Sequence, residues 1–270
     1  MKNFNLLPIK ALLIVLLSLP GYGTAEHLLP LSLNNIPPAF SAQYVVTVGG
    51  MKMGKLEVNL TQNDASSWTY HSESSASGLA ALFVGNSNVS DTSKLTLLND
   101  QIRPILYERK RVTREVDKSE RVIYQWDQFS AQSKYKDRNL DITLEESTTD
   151  KFTLQLLIMA NINNIPEKMT LPIISKAKLK QYNIVNVGRE TLKTIYGERE
   201  TIIVERVKDD SSYKIWADPN TYGLPLQIER IKEGKTEYIV KLEESSLFPA
   251  SEKITAQTMN YPQSSYFQAR

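Results

Sequence analysis

What most constrains the fold of this chain is strict alternation of apolar and polar residues, interrupted at short intervals by turn formers. Lys55-Leu-Glu-Val-Asn-Leu-Thr61 is the cleanest example, with Leu56, Val58 and Leu60 in one phase and Lys55, Glu57 and Asn59 in the other. Successive side chains of a strand point to opposite faces, so a period of two belongs to a sheet with one buried and one wet face. Tyr213 to Asp218 and Leu224 to Ile231 repeat the pattern around a loop of turn formers, Pro219 to Gly223. Tyr213, Ile215 and Ala217 share one face there, and Lys214 and Trp216 take the other. Turn signals recur roughly every 8–12 residues, which favours an all-β barrel or sandwich over alternating β/α units.

Taken in order, the expected strands begin with Gln43–Val48, Lys55–Thr61, Ser67–Glu73, Val89–Leu97 and Arg103–Arg111. Arg121–Trp126, Asn139–Leu144, Leu171–Ile174, Leu179–Val187, Thr191–Tyr196, Glu200–Lys208 and Lys235–Glu243 follow, besides the 213–231 hairpin. Two stretches break the rule. Lys151 to Asn161 is apolar on nearly every side, and Thr149 or Asp150 stands ready to accept the unpaired N–H groups of a first helical turn. Ser77 to Val84 is apolar almost throughout and suits a helix of about two turns. The expected fold is mainly β: a single antiparallel, strongly curved or half-open β-barrel, with one or two short helices packed in its concave side. A sheet of this kind must close or cover its edges, so residues 40–247 are read as one domain.

The ends of the chain read differently. Lys2 and Lys10 flank an apolar run from Ala11 to Leu19, Pro20-Gly21 interrupts it, and Gly23-Thr-Ala25 supplies small residues before Glu26. That is the pattern of a secretory signal peptide cleaved after about Ala25, and the run is too short to anchor in a bilayer about 30 Å thick. Residues 26–39 read as a proline-containing leader and 248–270 as a flexible polar tail. The chain contains 0 cysteines, which removes disulfides, thiolate chemistry and the lipid attachment of a bacterial lipoprotein. Of 32 basic residues, Lys2 and Lys10 lie in the signal, leaving 30 against 30 acidic ones. A neutral chain offers no general attraction to nucleic acid. Location in the periplasm, soluble and without a transmembrane segment in the mature chain, is expected.

Candidate chemistry is sparse. His27 and His71 lack the spacing of a zinc site, and no nucleophile elbow or phosphate loop occurs, so no metal, catalytic residue or cofactor is expected. Asp209-Asp210 and Glu243-Glu244 read as solvated charges at strand ends. Met51 and Met53, in a glycine turn, make a poor soft-metal site. The basic cluster Arg109, Lys110, Arg111 and Arg114 is interleaved with acids and reads as the outer face of a hairpin. The apolar stretches remain. Leu79, Leu82, Phe83 and Val84, with Phe152, Leu156 and Met159 of the second helix and Trp216 of the hairpin, are the candidate ligand-binding residues. Mouths of barrels are common places for apolar cavities.

Further marks carry a family resemblance. The first strand ends in Gly50-x-x-x-Gly54, Asp150 leads an apolar helix to Ala160, and Trp216-x-Asp218 precedes Leu224-Pro-Leu-Gln-Ile228. Over roughly residues 40–245 the chain resembles the bacterial periplasmic proteins grouped as domain of unknown function 3108 (DUF3108). More distantly it is similar to the LolA/LolB-like periplasmic lipoprotein carrier and receptor folds, though it lacks the cysteine of the outer-membrane receptor. The resemblance implies an unclosed β-barrel around helices, in the cell envelope, without an established activity. The leading functional expectation is a non-enzymatic binding or envelope-maintenance protein that holds a lipid or lipoprotein acyl chain. A module pairing with an envelope protein through a sheet edge comes second, and an envelope hydrolase third.

Overall fold

A computed structural model describes residues 36–76, 88–99, 101–111, 118–208 and 211–253. Fourteen strands follow one another along these residues. They are β1 (Phe40–Val48), β2 (Met51–Asp64), β3 (Ser67–Ala76), β4 (Val89–Leu98), β5 (Gln101–Lys110), β6 (Glu120–Gln125), β7 (Ser130–Tyr135) and β8 (Arg138–Thr143). A single described α-helix, α1 (Lys151–Ala160), leads to β9 (Lys168–Ile174), β10 (Leu179–Thr194), β11 (Gly197–Lys208), β12 (Ser211–Asp218), β13 (Leu224–Lys232) and β14 (Lys235–Ser245).

All fourteen belong to one antiparallel sheet, in the order β8-β7-β6-β5-β4-β3-β2-β1-β14-β13-β12-β11-β10-β9. The chain therefore starts in the middle of the sheet, meanders to one edge, crosses by way of α1 to the other edge, and meanders back. β14 closes on β1, with Tyr44 opposite Leu242 and Val46 opposite Val240. This is the mainly β, unclosed, barrel-like fold that the alternation predicts, with the helix inside the curve.

The gap between the edge strands β8 and β9 is spanned by the chain around α1. Thr149 N–H donates to Pro172 O at 2.9 Å, and Ile174 N–H donates to Thr149 O at 3.2 Å, a short parallel bridge onto β9. Farther along, the Glu120 carboxylate of β6 accepts the backbone N–H groups of Lys176 and Ala177 in the β9–β10 turn. Both turn residues hold positive φ, 56° and 51°. Two left-handed residues in a row point their N–H groups the same way, and a carboxylate is a natural acceptor for such a pair. Burial is the larger influence on Glu120 and raises its pKa, while the two N–H groups oppose the rise.

α1 forms where the sequence places it. Asp150 is the N-cap and accepts from Phe152 N–H at 2.7 Å and Thr153 N–H at 3.0 Å. Its other oxygen takes the hydroxyls of Ser93 at 2.6 Å and Thr153 at 3.2 Å. At the far end, Asn161 Nδ2 donates to Leu157 O at 2.9 Å. Every residue from Phe152 to Met159 except Gln155 is buried, so the helix sits in the core and not on its surface. It divides the interior. Phe152, Leu156, Leu157 and Met159 pack with the cluster built on Tyr70, Leu95, Val122 and Leu224. Leu154 and Ile158 pack with Leu171, Ile173, Ile184 and Val204. Phe152 stacks on Tyr70 with ring centroids 4.6 Å apart.

Two readings of the strands need correcting. The two strands expected at 179–187 and 191–196 are one strand, β10, because a bulge between Asn186 and Gly188 absorbs the break in phase. Gly188 holds φ 120° there, and Val187, the extra residue, is exposed. β7 escaped notice because Ser130-Ala-Gln-Ser-Lys-Tyr135 carries little apolar signal, although Ala131, Ser133 and Tyr135 are its inward set. In the edge strand β8 Leu140 is exposed and Ile142 is partly buried against the core, while Leu144, just after it, is buried. The signal peptide, the leader up to residue 35, the helix at Ser77 to Val84, Arg114, Asp209-Asp210 and the tail beyond residue 253 lie outside the described residues.

Candidate functional site

The curve of the second half of the sheet leaves room on one flank of α1. Strand alternation sends Ile184 of β10, Val204 of β11, Ile215 and Ala217 of β12, Ile228 of β13 and Val240 of β14 toward the helix. The helix answers with Phe152, Leu154, Ile158 and Met159. Between them lies a cavity of about 270 Å³ with an almost wholly apolar wall. Ala217 and Val204 in its wall also pack with Leu154 and Ile158 of the helix, and Gly223 lies at the far end against Met159.

Gly223 belongs to the β12–β13 loop, which is fixed by Asp218. That side chain accepts from Asn220 N–H at 2.8 Å and Thr221 Oγ1 at 3.1 Å, and Asp218 O accepts from Gly223 N–H at 2.8 Å. Gly223 holds φ +66°, and a Cβ built on it would lie 2.7 Å from Met159 O and 2.8 Å from Met159 Cα. The hairpin thus clamps the C-terminal end of α1 with its backbone.

The opposite end of the cavity is polar. The β9–β10 and β13–β14 turns lie there, and the walls end in Tyr182, Arg206, Tyr213 and Tyr238. Arg206 Cζ sits 4.5 Å from the Tyr182 ring centre and 4.3 Å from that of Tyr213. Tyr213 Oη accepts from Arg230 Nη1 at 2.6 Å and lies 3.4 Å from Tyr238 Oη. Burial, with the Tyr213 hydroxyl second, raises the Tyr238 phenol well above its usual value, so it stays a neutral donor.

The start of α1 adds a second polar group. Lys151 Nζ lies 2.8 Å from Asp91 Oδ2, whose other oxygen accepts Tyr107 Oη at 2.7 Å. Desolvation lowers the Lys151 ammonium, and Asp91 opposes that shift. Asp150 is fully buried, and its burial raises the carboxyl above the usual range even though four donors favour the charged form.

Of the residues singled out in the sequence, Phe152 and Met159 line this cavity. Leu156 is buried in the core cluster on the other flank of the helix. Trp216 is buried on the opposite face of the sheet from Ile215, where its Nε1 donates to Glu190 Oε2 at 3.1 Å and Lys214 Nζ covers the ring at 4.7 Å. Leu79, Leu82, Phe83 and Val84 lie outside the described residues. Sequence reasoning missed Arg206, Tyr182 and Tyr238. A signal for Arg206 was present, since it shares strand phase with Val204 and is therefore a charged residue in an inward-facing set. No group of three or more metal-ligating side chains gathers among the described residues.

Comparison with known proteins bears on fold and family. No curated protein matches the sequence. The crystal structure of a beta-barrel-like protein of domain of unknown function DUF1849 from Brucella abortus is similar, with TM-score 0.54 at 9% identity. That likeness covers 77% of this chain and 97% of the other, and it shows a shared barrel-like fold. The structure of MucB in complex with MucA(peri) aligns at TM-score 0.28 and 11% identity, over 81% of this chain and 56% of that one, which is too low to carry an argument. The model of the family described as protein of unknown function (DUF3108) matches residues 43–239, well over half of the chain. The chain belongs to the DUF3108 family.

Proposed function

We propose that this is a periplasmic, non-enzymatic binding protein that holds an apolar chain between α1 and the concave face of β10–β14. The observation that carries the reading is the cavity itself: about 270 Å³ of preformed, largely apolar space between α1 and the concave face of the sheet. Each methylene moved from water into such a space contributes about 0.8 kcal/mol, and little ordering cost offsets it because the walls are held by α1 and the Asp218 loop. The volume lies just below the range for small-molecule sites, roughly 300–1,000 Å³, which fits one short acyl segment and not a two-chain lipid. The signal-like segment at residues 1–25 supports the location. Protein purified without detergent should release a single-chain lipid on solvent extraction, seen by mass spectrometry, and should rebind it stoichiometrically. Protein that neither retains nor binds any apolar chain would sink the proposal.

A second reading has its own observation. β8 is a sheet edge with no described strand beyond it, and its six residues are exposed except for Ile142, which is partly so. Such an edge can accept a strand from an envelope protein. Crosslinking from Asn139 in intact cells, with a partner recovered free of lipid, would favour this reading over the first.

A further inference from the structure

We infer that the cavity takes a single-chain amphiphile with a carboxylate head, whose head group is bound by Arg206. This rests on the proposed apolar site and adds its chemical polarity. The cavity lining holds two cations, Lys151 and Arg206, with Arg230 beside Tyr213, and of these three Lys151 and Arg230 are already paired. Lys151 is paired with Asp91 at 2.8 Å, and Arg230 with Glu237 at 2.5 Å and with the Tyr213 hydroxyl. Arg206 lines the cavity and forms no ion pair among the described residues. Its Nε is buried without a hydrogen-bond partner.

A buried, unpaired guanidinium N–H is costly, because desolvation is not repaid. The two tyrosine rings at 4.5 and 4.3 Å attract the cation through their faces and hold its position, but ring faces accept no directed pair of hydrogen bonds. The planar fork of N–H donors stays available, and a carboxylate matches that fork with two parallel bonds. Tyr238 donates its single O–H to Tyr213 Oη at 3.4 Å and Arg230 donates to the same oxygen, so the hydroxyl proton of Tyr213 is the one left to join Arg206 at the mouth. The geometry orients the ligand: alkyl chain along α1 toward Gly223, head at the Arg206 end.

Calorimetric titration of the full chain with decanoate, decanol, decyl phosphate and decyltrimethylammonium tests this. Wild-type protein should bind decanoate roughly 10- to 100-fold tighter than decanol, the scale of a charge-assisted hydrogen bond at a buried site. Arg206→Gln should bring the decanoate-to-decanol affinity ratio close to one, and Arg206→Lys should restore only part of it. Affinity should rise about fourfold per added methylene until the cavity is full. Equal binding of decanoate and decanol to wild-type protein overturns the head-group assignment and leaves the apolar site standing. Decyl phosphate binding 10-fold tighter than decanoate reassigns the head as a phosphate and also overturns it. Failure of all four probes sinks both the assignment and the apolar site. The wild-type comparison requires no variant to fold.

Discussion

Replacing Gly223 by alanine tests how the hairpin holds the helix. The substitution has two separable costs. Alanine at φ +66° enters the left-handed region, at roughly 1–2 kcal/mol. Its Cβ would also approach Met159 O to 2.7 Å, Met159 Cα to 2.8 Å and Ile162 Cβ to 3.1 Å. These are mostly backbone atoms of a buried helix end, so either the loop or the helix must move, at a further 1–3 kcal/mol or so. Gly234 supplies the control, since it holds φ +73° with nothing within 4 Å of an added Cβ. Urea unfolding followed by far-ultraviolet circular dichroism should show Gly234→Ala destabilised by about 1–2 kcal/mol and Gly223→Ala by about 2–5 kcal/mol. If the two variants lose the same stability, the clamp between loop and helix is not there and the far wall of the cavity is misassigned.

Other consequences follow from the buried carboxylates. Asp150→Ala removes the α1 cap and leaves the Ser93 and Thr153 hydroxyls without their acceptor, which should cost about 2–4 kcal/mol in the same urea assay. Burial raises the pKa of Asp150 in the folded state. The unfolded chain therefore binds fewer protons than the folded one between the ordinary and the raised value, and stability falls as pH rises through that interval. Asp150→Asn should flatten this slope in a pH series of thermal unfolding, and an unchanged slope would show that the charge is not penalised there. Glu120→Ala should expose the Lys176 and Ala177 amides to hydrogen exchange while strands near β1 and β14 stay protected, because Glu120 holds the β9–β10 turn across the gap in the sheet.

Much of this architecture is written locally. Alternation in Lys55–Thr61 and Lys235–Glu243 reveals strands because each has one face in the core and one in water. The helix is legible for a different reason: Asp150 precedes a run whose apolar residues fit no period of two. What stays hidden is nonlocal. Nothing in Gln43–Val48 says that β1 pairs with β14, about two hundred residues away, and that pairing makes one continuous sheet out of two meanders. Ser133 is fully buried in β7, a polar residue in the inward phase, so composition misleads there. Trp216 looks like a ligand contact in sequence because it is aromatic and near a turn. Its strand phase, opposite to that of Ile215, already directs it to the other face. The cavity lies where Ala217 and Gly223 meet the helix across the fold, and no sequence window contains both sides.

If the space between α1 and the β10–β14 face is a binding site, filling it must weaken binding. Ile215 lines it at mid-sheet, opposite Val204 and Ile228, and tryptophan at this position would occupy the volume. The direct measurement is titration with the apolar fluorophore 1-N-phenylnaphthylamine, comparing wild type, Ile215→Trp and Val207→Trp, an exposed control in the opposite strand phase. Fluorescence enhancement should saturate for wild type and Val207→Trp and weaken at least about 10-fold for Ile215→Trp, with the β-sheet spectrum retained. Undiminished probe binding by a folded Ile215→Trp protein would contradict the account.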